Sequence, residues 1–270
     1  MAARDLKRYG VAVALAVGAF AWAATDTFAQ QFVMDGLKTM YTLDEADIDG
    51  DTVLDVIGTN HATLMGGGPV FVDGVVDECA EFDASSGYIE IPDLGLWPAV
   101  TLECWAMEHA FGGIQGIVST WQWEAGKVHF KFEGGEIQVD KNGGSKIRLA
   151  AAEENRWYHI VYSSEEDSGE LKLYVYSSEE DSGELKLYVD GELVAEGAGG
   201  ANPENMVERR IGSEHDGRFL DGKVDEVRIY DRILTEDEVA QNFGVDSNTL
   251  TVDPAGKVAM TWGRLKDTSR

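Results

Sequence analysis

The sequence has few prolines, two cysteines and few basic residues, and these shortages narrow the class of protein. Five prolines together with 44% apolar residues describe a globular chain. Two cysteines do not complete any of the usual zinc-binding patterns. Only 22 basic residues stand against 49 acidic ones, and the resulting net charge of −27 repels nucleic acids and anionic membranes. We therefore expect a soluble protein with no nucleic-acid partner.

The first 29 residues have the pattern of a secretory signal peptide. Arg4, Lys7 and Arg8 form a positive start, and a short apolar stretch follows them. Thr27 and Ala29 place small residues at the positions that signal peptidase requires. The apolar stretch is short for a membrane anchor, which needs about 20 apolar residues. We expect a secreted, periplasmic or cell-surface protein with no membrane span after cleavage, a domain over residues 30–245, and a tail or closing segment over 246–270.

Short alternating runs dominate the remaining chain. More than ten of them, such as residues 101–107 and 127–132, are separated by turn residues, mainly Gly, Asp and Asn. Even spacing of short strands predicts an all-β, two-sheet antiparallel β-sandwich. One helix is predicted over residues 235–243, with Thr235 as its N-cap and acidic residues in its first turn.

Several of these runs resemble a known family. The segments "VTLECWAM", "NRWYHIVY" and "LKLYVDGELVAEG", and above all "VDEVRIYDRILTEDEVAQNF", are similar to the laminin-G-like, concanavalin A-like jelly-roll domains of bacterial exported proteins. The resemblance covers about residues 34–245. It implies a jelly roll that often binds Ca²⁺ and that often recognises glycans or proteins, and it implies no particular activity.

A stretch of 14 residues occurs twice in tandem. Residues 161–174 and 175–188 both read VYSSEEDSGELKLY. A single duplication is not a solenoid, which needs at least three repeats. One added strand would reverse the direction of every later strand in an antiparallel sheet. We therefore expect one copy to be accommodated as an extruded loop, with residues 165–178 outside the sheet. The second copy leads into the Asp190-Gly191 hairpin signal and is predicted to be the native strand, whereas the rival arrangement extrudes that copy.

An acidic loop over residues 44–55 is the candidate metal site. Asp47, Asp49 and Asp51 have the first spacings of a calcium loop, but Thr52 and Gly58 do not fit an EF-hand. A solvated acidic loop is the alternative. The family resemblance implies a different arrangement, in which Ca²⁺ is held by carboxylates and carbonyls at Asp44, Asp55, Gly58, Asn60 and Asp225.

Two further residue pairs are candidates, one for a disulfide and one for ligand binding. Cys79 and Cys104 can form a disulfide in an exported protein if their Cα atoms lie within about 7 Å, and are otherwise two buried thiols. Trp121 and Trp123 alternate on a predicted strand, which would place both indoles on one face. Such a face can stack on a sugar, although the same spacing fits a pair packed inside the sandwich.

Catalysis has little support in the sequence. Glucanases of this fold carry a Glu-x-Asp-x-(x)-Glu type of pattern on one strand, and Asp225-Glu226 does not match it. The histidines are scattered, and no G-x-S-x-G motif occurs. We predict a non-enzymatic, monomeric binding module for carbohydrate or an extracellular protein ligand. The alternatives are an adhesive domain without sugar specificity and a diverged glycoside hydrolase.

Overall fold

The structure is a computed structural model that describes residues 32–149, 152–166, 183–215 and 217–245. The predicted signal peptide, the tail over 246–270 and most of the predicted extruded loop lie outside the described residues. Among the residues that are described, no helix is long and apolar enough to cross a membrane.

The described chain consists of short strands and one helix. The strands are β1 (Leu37–Tyr41), β2 (Ile48–Asp49), β3 (Thr52–Val53), β4 (Ala62–Met65), β5 (Val70–Asp73), β6 (Glu78–Asp83), β7 (Tyr88–Glu90), β8 (Leu96–Trp97), β9 (Ala99–Glu108), β10 (Ile114–Gly116), β11 (Val118–Thr120), β12 (Val128–Glu133), β13 (Glu136–Lys141), β14 (Lys146–Leu149), β15 (Tyr158–Glu165), β16 (Glu184–Val189), β17 (Glu192–Ala198), β18 (Glu204–Asn205), β19 (Arg209–Ile211) and β20 (Asp221–Tyr230). A 3-10 turn spans Glu45–Asp47, and the helix α1 spans Glu236–Phe243.

The strands form two antiparallel layers. One layer is an eight-stranded sheet in the order β17-β16-β15-β9-β20-β6-β5, with β1 also paired to β20. The other layer contains the sheets β10-β12-β13-β14 and β11-β19-β7-β4-β3-β2. Only Ile117 separates β10 from β11, and its N–H donates to Phe130 O on β12, so these two sheets lie side by side. The predicted all-β sandwich is confirmed.

The core lies between the two layers and follows the alternation of the strands. Leu102 and Ala106 of β9 face Phe130 and Val139 of the opposite layer within one buried cluster. The residues that alternate with these along the same strands point away from the core. The outward face of β12 and β13 therefore carries polar side chains, and this face forms the candidate site described below.

The strand segment of the second copy, residues 184–188, lies in the sheet, as predicted. Glu165 of the first copy, predicted to begin the extruded loop, instead pairs with Ala99 at the end of β15. β16 pairs antiparallel with β15, with Tyr162 opposite Leu187 and Ser164 opposite Leu185. Asp190 and Gly191 both have positive φ values, as a two-residue type I′ hairpin requires, and they connect β16 to β17. Residues 167–182, which join β15 to β16, lie outside the described residues, so the extrusion itself stays a prediction.

The predicted helix is confirmed together with its cap. The Thr235 side chain accepts a hydrogen bond from the Glu238 N–H, and the Glu238 side chain accepts one from the Thr235 N–H. This reciprocal capping box satisfies two donors that the first turn leaves free. Asn242 near the helix end donates to Glu103 in β9, and this contact anchors the helix on the eight-stranded sheet.

The predicted disulfide is wrong in this structure. Cys79 in β6 and Cys104 in β9 are buried free thiols, and β20 lies between the two strands. Two strand spacings separate the cysteines by about 10 Å, which exceeds the span of a disulfide. Cys104 also faces the main core with Leu102, whereas Cys79 lies on the opposite face from its neighbour Ala80.

Thiol labelling checks this correction. We expect iodoacetamide to modify both cysteines when the protein is denatured without reductant, because the native pair is not bridged. Intact mass spectrometry should show two adducts per chain. A mass without adducts that changes only after reduction would mean that the strand arrangement is wrong.

Candidate functional site

A groove of about 440 Å³ lies on the outward face of the β10-β12-β13-β14 sheet. Its walls are formed by one tryptophan and a set of ionisable side chains, and we call it the ionic groove: Trp123, His129, Lys131, Asp140, Lys146 and Arg218. Ile114, Glu133 and His215 complete its lining. Four strands and two loops thus contribute to a single cleft.

The groove floor follows directly from strand alternation. In β12, Val128, Phe130 and Phe132 are buried in the core, which turns His129 and Lys131 outward. In β13, Asp140 is outward for the same reason, because Val139 faces the core. His129, Lys131 and Asp140 nevertheless have almost no exposed surface, because the groove walls cover them.

Two buried carboxylates organise the floor. Asp140 Oδ2 lies 3.1 Å from Lys131 Nζ and 3.1 Å from Lys146 Nζ. Glu214, beneath the groove, lies 3.0 Å from His129 Nδ1 through its Oε1 and also bonds Arg218. Asp140 Oδ1, Glu214 Oε2 and His129 Nε2 are buried without a hydrogen-bond partner. Buried polar atoms of this kind are uncommon, and they mark places where a ligand or water can bind.

Electrostatic interactions favour the charged forms of Glu214 and Lys131. Burial raises the pKa of Glu214, but its contacts with His129, Lys131 and Arg218 outweigh burial and leave the pKa below its usual value. Burial lowers the pKa of Lys131, but Glu214, Glu133 and Asp140 outweigh it and leave that pKa raised. Glu214 and Lys131 therefore contribute opposite charges to the floor.

The predicted tryptophan pair is placed differently from the prediction. β11 ends at Thr120, so Trp121 and Trp123 follow the strand and do not share one of its faces. Neither indole is in the core, which also makes the core-packing alternative wrong. Trp123 is 45% exposed and its ring lies 4.4 Å from that of His129, at the groove wall.

Trp121 belongs to a stack beside the groove. Its ring lies 5.0 Å from the His215 ring. The Arg210 guanidinium lies 3.9 Å from the centroid of the Trp121 ring and 4.2 Å from the centroid of the Tyr88 ring. Cation–π contacts of this kind hold aromatic rings in fixed orientations. Trp121 therefore supports His215, which lines the groove, while Trp123 itself reaches the cleft.

Sequence reasoning missed the ionic residues of the groove. His129, Lys131 and Asp140 occupy alternating positions of two strands, as the polar face of any half-exposed sheet would. Arg218 and Glu214 come from a loop far along the chain. The sequence signal that could have indicated these residues is the excess of cationic residues in "KVHFKFE" within a strongly acidic protein.

The five predicted metal ligands divide into two places. Asp55 accepts hydrogen bonds from the N–H groups of Met40, Ile57 and Asn60, and so it uses both of its oxygens within its own loop. Gly58 packs against Asp55, and Asn60 O accepts from the Tyr41 hydroxyl. These contacts give Asp55 a structural role within its loop, and its place in a metal site stays a prediction.

Asp44 and Asp225 lie at a second place, on either side of the segment 75–78. Asp225 Oδ2 accepts from the Val75 and Val76 N–H groups, and Asp44 Oδ1 accepts from the Glu78 N–H. Asp225 Oδ1 is buried without a partner. Burial, then Glu226 and Asp44, raise the pKa of Asp225 to about 8. Across the described ranges no three His, Cys, Asp or Glu side chains form a metal-binding group, and the five-residue calcium site stays a prediction.

Comparisons with known proteins agree with the fold. The Laminin_G_3 family model, which describes the concanavalin A-like lectin/glucanases superfamily, matches residues 175–240. No curated protein matches the sequence.

Solved structures show the same architecture at low sequence identity. Domain 4 of an extracellular arabinanase from Geobacillus stearothermophilus, solved with arabinotriose, has a TM-score of 0.57 at 16% identity and covers 76% of this chain and 97% of its own. Trypanosoma rangeli sialidase has a TM-score of 0.57 at 15% identity, covering 80% of this chain and 33% of its own. The botulinum neurotoxin type G receptor-binding domain has a TM-score of 0.55 at 11% identity, with coverages of 77% and 51%.

At these identities the solved structures establish the fold alone, and this chain spans about a third of the sialidase and half of the neurotoxin domain. The family-model match over residues 175–240 confirms the laminin-G-like resemblance in that segment, and the chain shares the β-sandwich fold of these solved structures.

Proposed function

We propose that this protein is an exported carbohydrate-binding module whose ligand lies in the ionic groove. The observation that carries the proposal is Trp123, a half-exposed indole at the wall of a cleft whose floor is charged and buried. An aromatic face packs against the apolar C–H surface of a sugar ring. Charged groups beside it can exchange hydrogen bonds with sugar hydroxyls.

We propose that the groove binds without hydrolysing. Glycoside hydrolysis by two carboxylates requires one of them to be protonated as the general acid. Glu133 and Asp140 both lie 3.1 Å from Lys131 Nζ and form ion pairs with it. The cationic neighbours of Glu214 hold its pKa below the usual value and so favour its ionised form. The groove therefore offers ion-paired carboxylates where a hydrolase would need a neutral acid.

Replacing Trp123 tests the groove. We expect Trp123→Ala to weaken binding of any glycan that an array identifies by about tenfold, because a lost aromatic contact is worth about 1 kcal/mol or more. Isothermal titration calorimetry of the purified domain measures the change.

Phe243→Ala is the matched control for that variant. Phe243 is also an exposed aromatic, but it lies on α1 and stacks on Trp105 and His159 at the eight-stranded sheet. We expect Phe243→Ala to leave glycan affinity unchanged. Equal loss in both variants would contradict the groove, and the absence of any glycan ligand, with a protein captured instead, would favour the adhesive alternative.

Calcium stabilisation is a separate proposal, which rests on Asp44 and Asp225 and on the unpartnered Asp225 oxygen. An ion bound only to the folded state adds about 2.7 kcal/mol at a hundredfold excess over its dissociation constant. We expect EGTA to lower the melting temperature of the wild type and to leave that of Asp225→Asn unchanged. An equal melting temperature with and without EGTA, and no metal by elemental analysis, would contradict a bound ion.

A further inference from the structure

The charges that a ligand would meet in the ionic groove are mostly positive. The Lys146 side chain is 63% exposed and the Arg218 side chain is 38% exposed. The carboxylates that bond them, Asp140 and Glu214, are 3% and 0% exposed. A ligand in the cleft therefore contacts the cationic end of each ion pair, while the anionic end lies beneath.

The ionic groove is less acidic than the rest of the protein, and its exposed charges are mainly cationic. Its lining and floor contain three cations against three carboxylates: Lys131, Lys146 and Arg218 against Glu133, Asp140 and Glu214. The whole chain carries −27. Because Asp140 and Glu214 are buried and only the Glu133 carboxylate is partly exposed, Lys146 and Arg218 attract an anionic group at short range, where buried walls screen it less than bulk water does.

The side chains that line the groove suit a sugar that carries one negative charge. Trp123 supplies a flat apolar wall for a ring, and the Lys146 ammonium and Arg218 guanidinium line the same cleft. A guanidinium binds a planar carboxylate through two parallel hydrogen bonds, which a hydroxyl cannot reproduce. We infer that the ligand is an oligosaccharide bearing a carboxylate-containing sugar, and this inference rests on the proposed function of the groove.

The net charge of the protein also limits the ligand. A polymer with a carboxylate on every residue would bring many charges close to the acidic surface and be repelled. A mostly neutral glycan with an isolated acidic sugar places its single charge in the groove and avoids that repulsion. The preferred class is therefore a sparsely charged glycan and not a polyuronide.

An array of paired glycans tests the inference. Each pair shares one backbone and differs by a single carboxylate, for example a terminal glucose against a glucuronic acid. We expect the wild type to prefer the acidic members by about tenfold at low salt, the value of one charge-assisted bond, with less preference at high salt.

Two variants and one control assign that preference. Lys146→Gln and Arg218→Gln should weaken the acidic members more than the neutral members and so reduce the preference, while Trp123→Ala should weaken both members of each pair equally. Arg148→Gln is the matched control, because Arg148 lies on β14 with Lys146 but pairs with Glu136 outside the groove.

The outcomes separate the two proposals. Equal or stronger binding of the neutral members, or a preference that survives both cation substitutions, would overturn the acidic-sugar inference and leave the carbohydrate-binding function standing. Binding of no member of any pair would overturn the proposed function and the inference with it.

Discussion

Replacing Arg228 with methionine should lower the free energy of unfolding by about 3–5 kcal/mol, the usual result of breaking a buried ion pair on one side. Arg228 in β20 is almost fully buried and bonds both Glu103 and Glu226. Its loss would leave two carboxylates in the interior without their cation. Urea unfolding of wild type and variant measures the difference.

A bulge in β20 creates this network. Asp225 pairs with Trp105 and Arg228 pairs with Glu103, so two residues of β20 face a single residue of β9. Glu226 has a φ of 53°, the conformation that lets the extra residue fit. Because of the bulge, Asp225, Glu226 and Arg228 all lie outside the main core cluster, whereas Val227 belongs to it.

Acid sensitivity provides a second readout. Burial raises the pKa of Glu103, but Arg228, His159 and Asn242 outweigh it and lower the pKa from 4.5 to about 2. A carboxylate with a depressed pKa in the folded state adds stability above its unfolded pKa, and that stability is lost as the pH falls toward 2. We expect this loss between pH 4.5 and 2 in the wild type and a smaller loss in Arg228→Met.

Arg232→Met is the matched control for the buried network. Arg232 also bonds a glutamate, Glu238, but the pair is partly exposed at the start of α1. Such pairs contribute about 0–1 kcal/mol. If the two variants lose equal stability, Arg228 does not bridge buried carboxylates as the structure shows.

Truncating Leu187 should cost about 2–5 kcal/mol, because the side chain is fully buried and its removal leaves a cavity. Leu187 belongs to the second copy of the duplicated sequence and lies opposite Tyr162. Its counterpart in the first copy is Leu173, which lies outside the described residues. Since the second copy already fills the core positions, we expect Leu173→Ala to cost clearly less.

Deletion of residues 161–174 completes this test. The remaining chain keeps one copy of the sequence, its acidic turn and the Asp190-Gly191 hairpin. Shortening a connection changes its closure entropy only slowly, so stability should hold or rise by roughly 1 kcal/mol. A large loss on deletion, or equal losses for Leu173→Ala and Leu187→Ala, would show that both copies contribute to the core.

Local sequence signals predicted the regular elements well. The Thr235 cap and the acidic first turn identify α1, and Asp190-Gly191 identifies the turn between β16 and β17. Both signals act within a few residues of the chain, where backbone conformation depends on the residue itself. The choice between the two copies could therefore be made from the hairpin signal alone.

Residue pairs from distant segments were predicted poorly. Cys79 lies on β6 and Cys104 lies on β9, and β20 lies between these two strands. β20 comes more than a hundred residues later in the chain. Trp121 and Trp123 were predicted to lie on a strand, but β11 ends before them at Thr120. Thr120 pairs with Arg209, the first residue of the partner strand β19. Strand order and strand ends depend on the whole sheet, which alternation in one segment does not encode.

The candidate site shows the same limit. Its cations come from β12, β14 and the loop before β20, and only the fold brings Lys131, Lys146 and Arg218 together. Asp55 looked like a metal ligand because it lies in an acidic loop. Its oxygens instead accept backbone N–H groups, and such bonds depend on loop conformation and not on composition.

The indole N–H signal of Trp123 tests the central claim most directly. A proton–nitrogen correlation spectrum resolves the tryptophan indoles, and comparison with Trp123→Ala assigns that signal. On titration with a glycan selected by the array, we expect the Trp123 signal to shift in a saturable manner with the affinity found by calorimetry, while the Trp105 signal on the other sheet stays in place. A saturable shift at Trp105 with no change at Trp123 would contradict carbohydrate binding in the ionic groove.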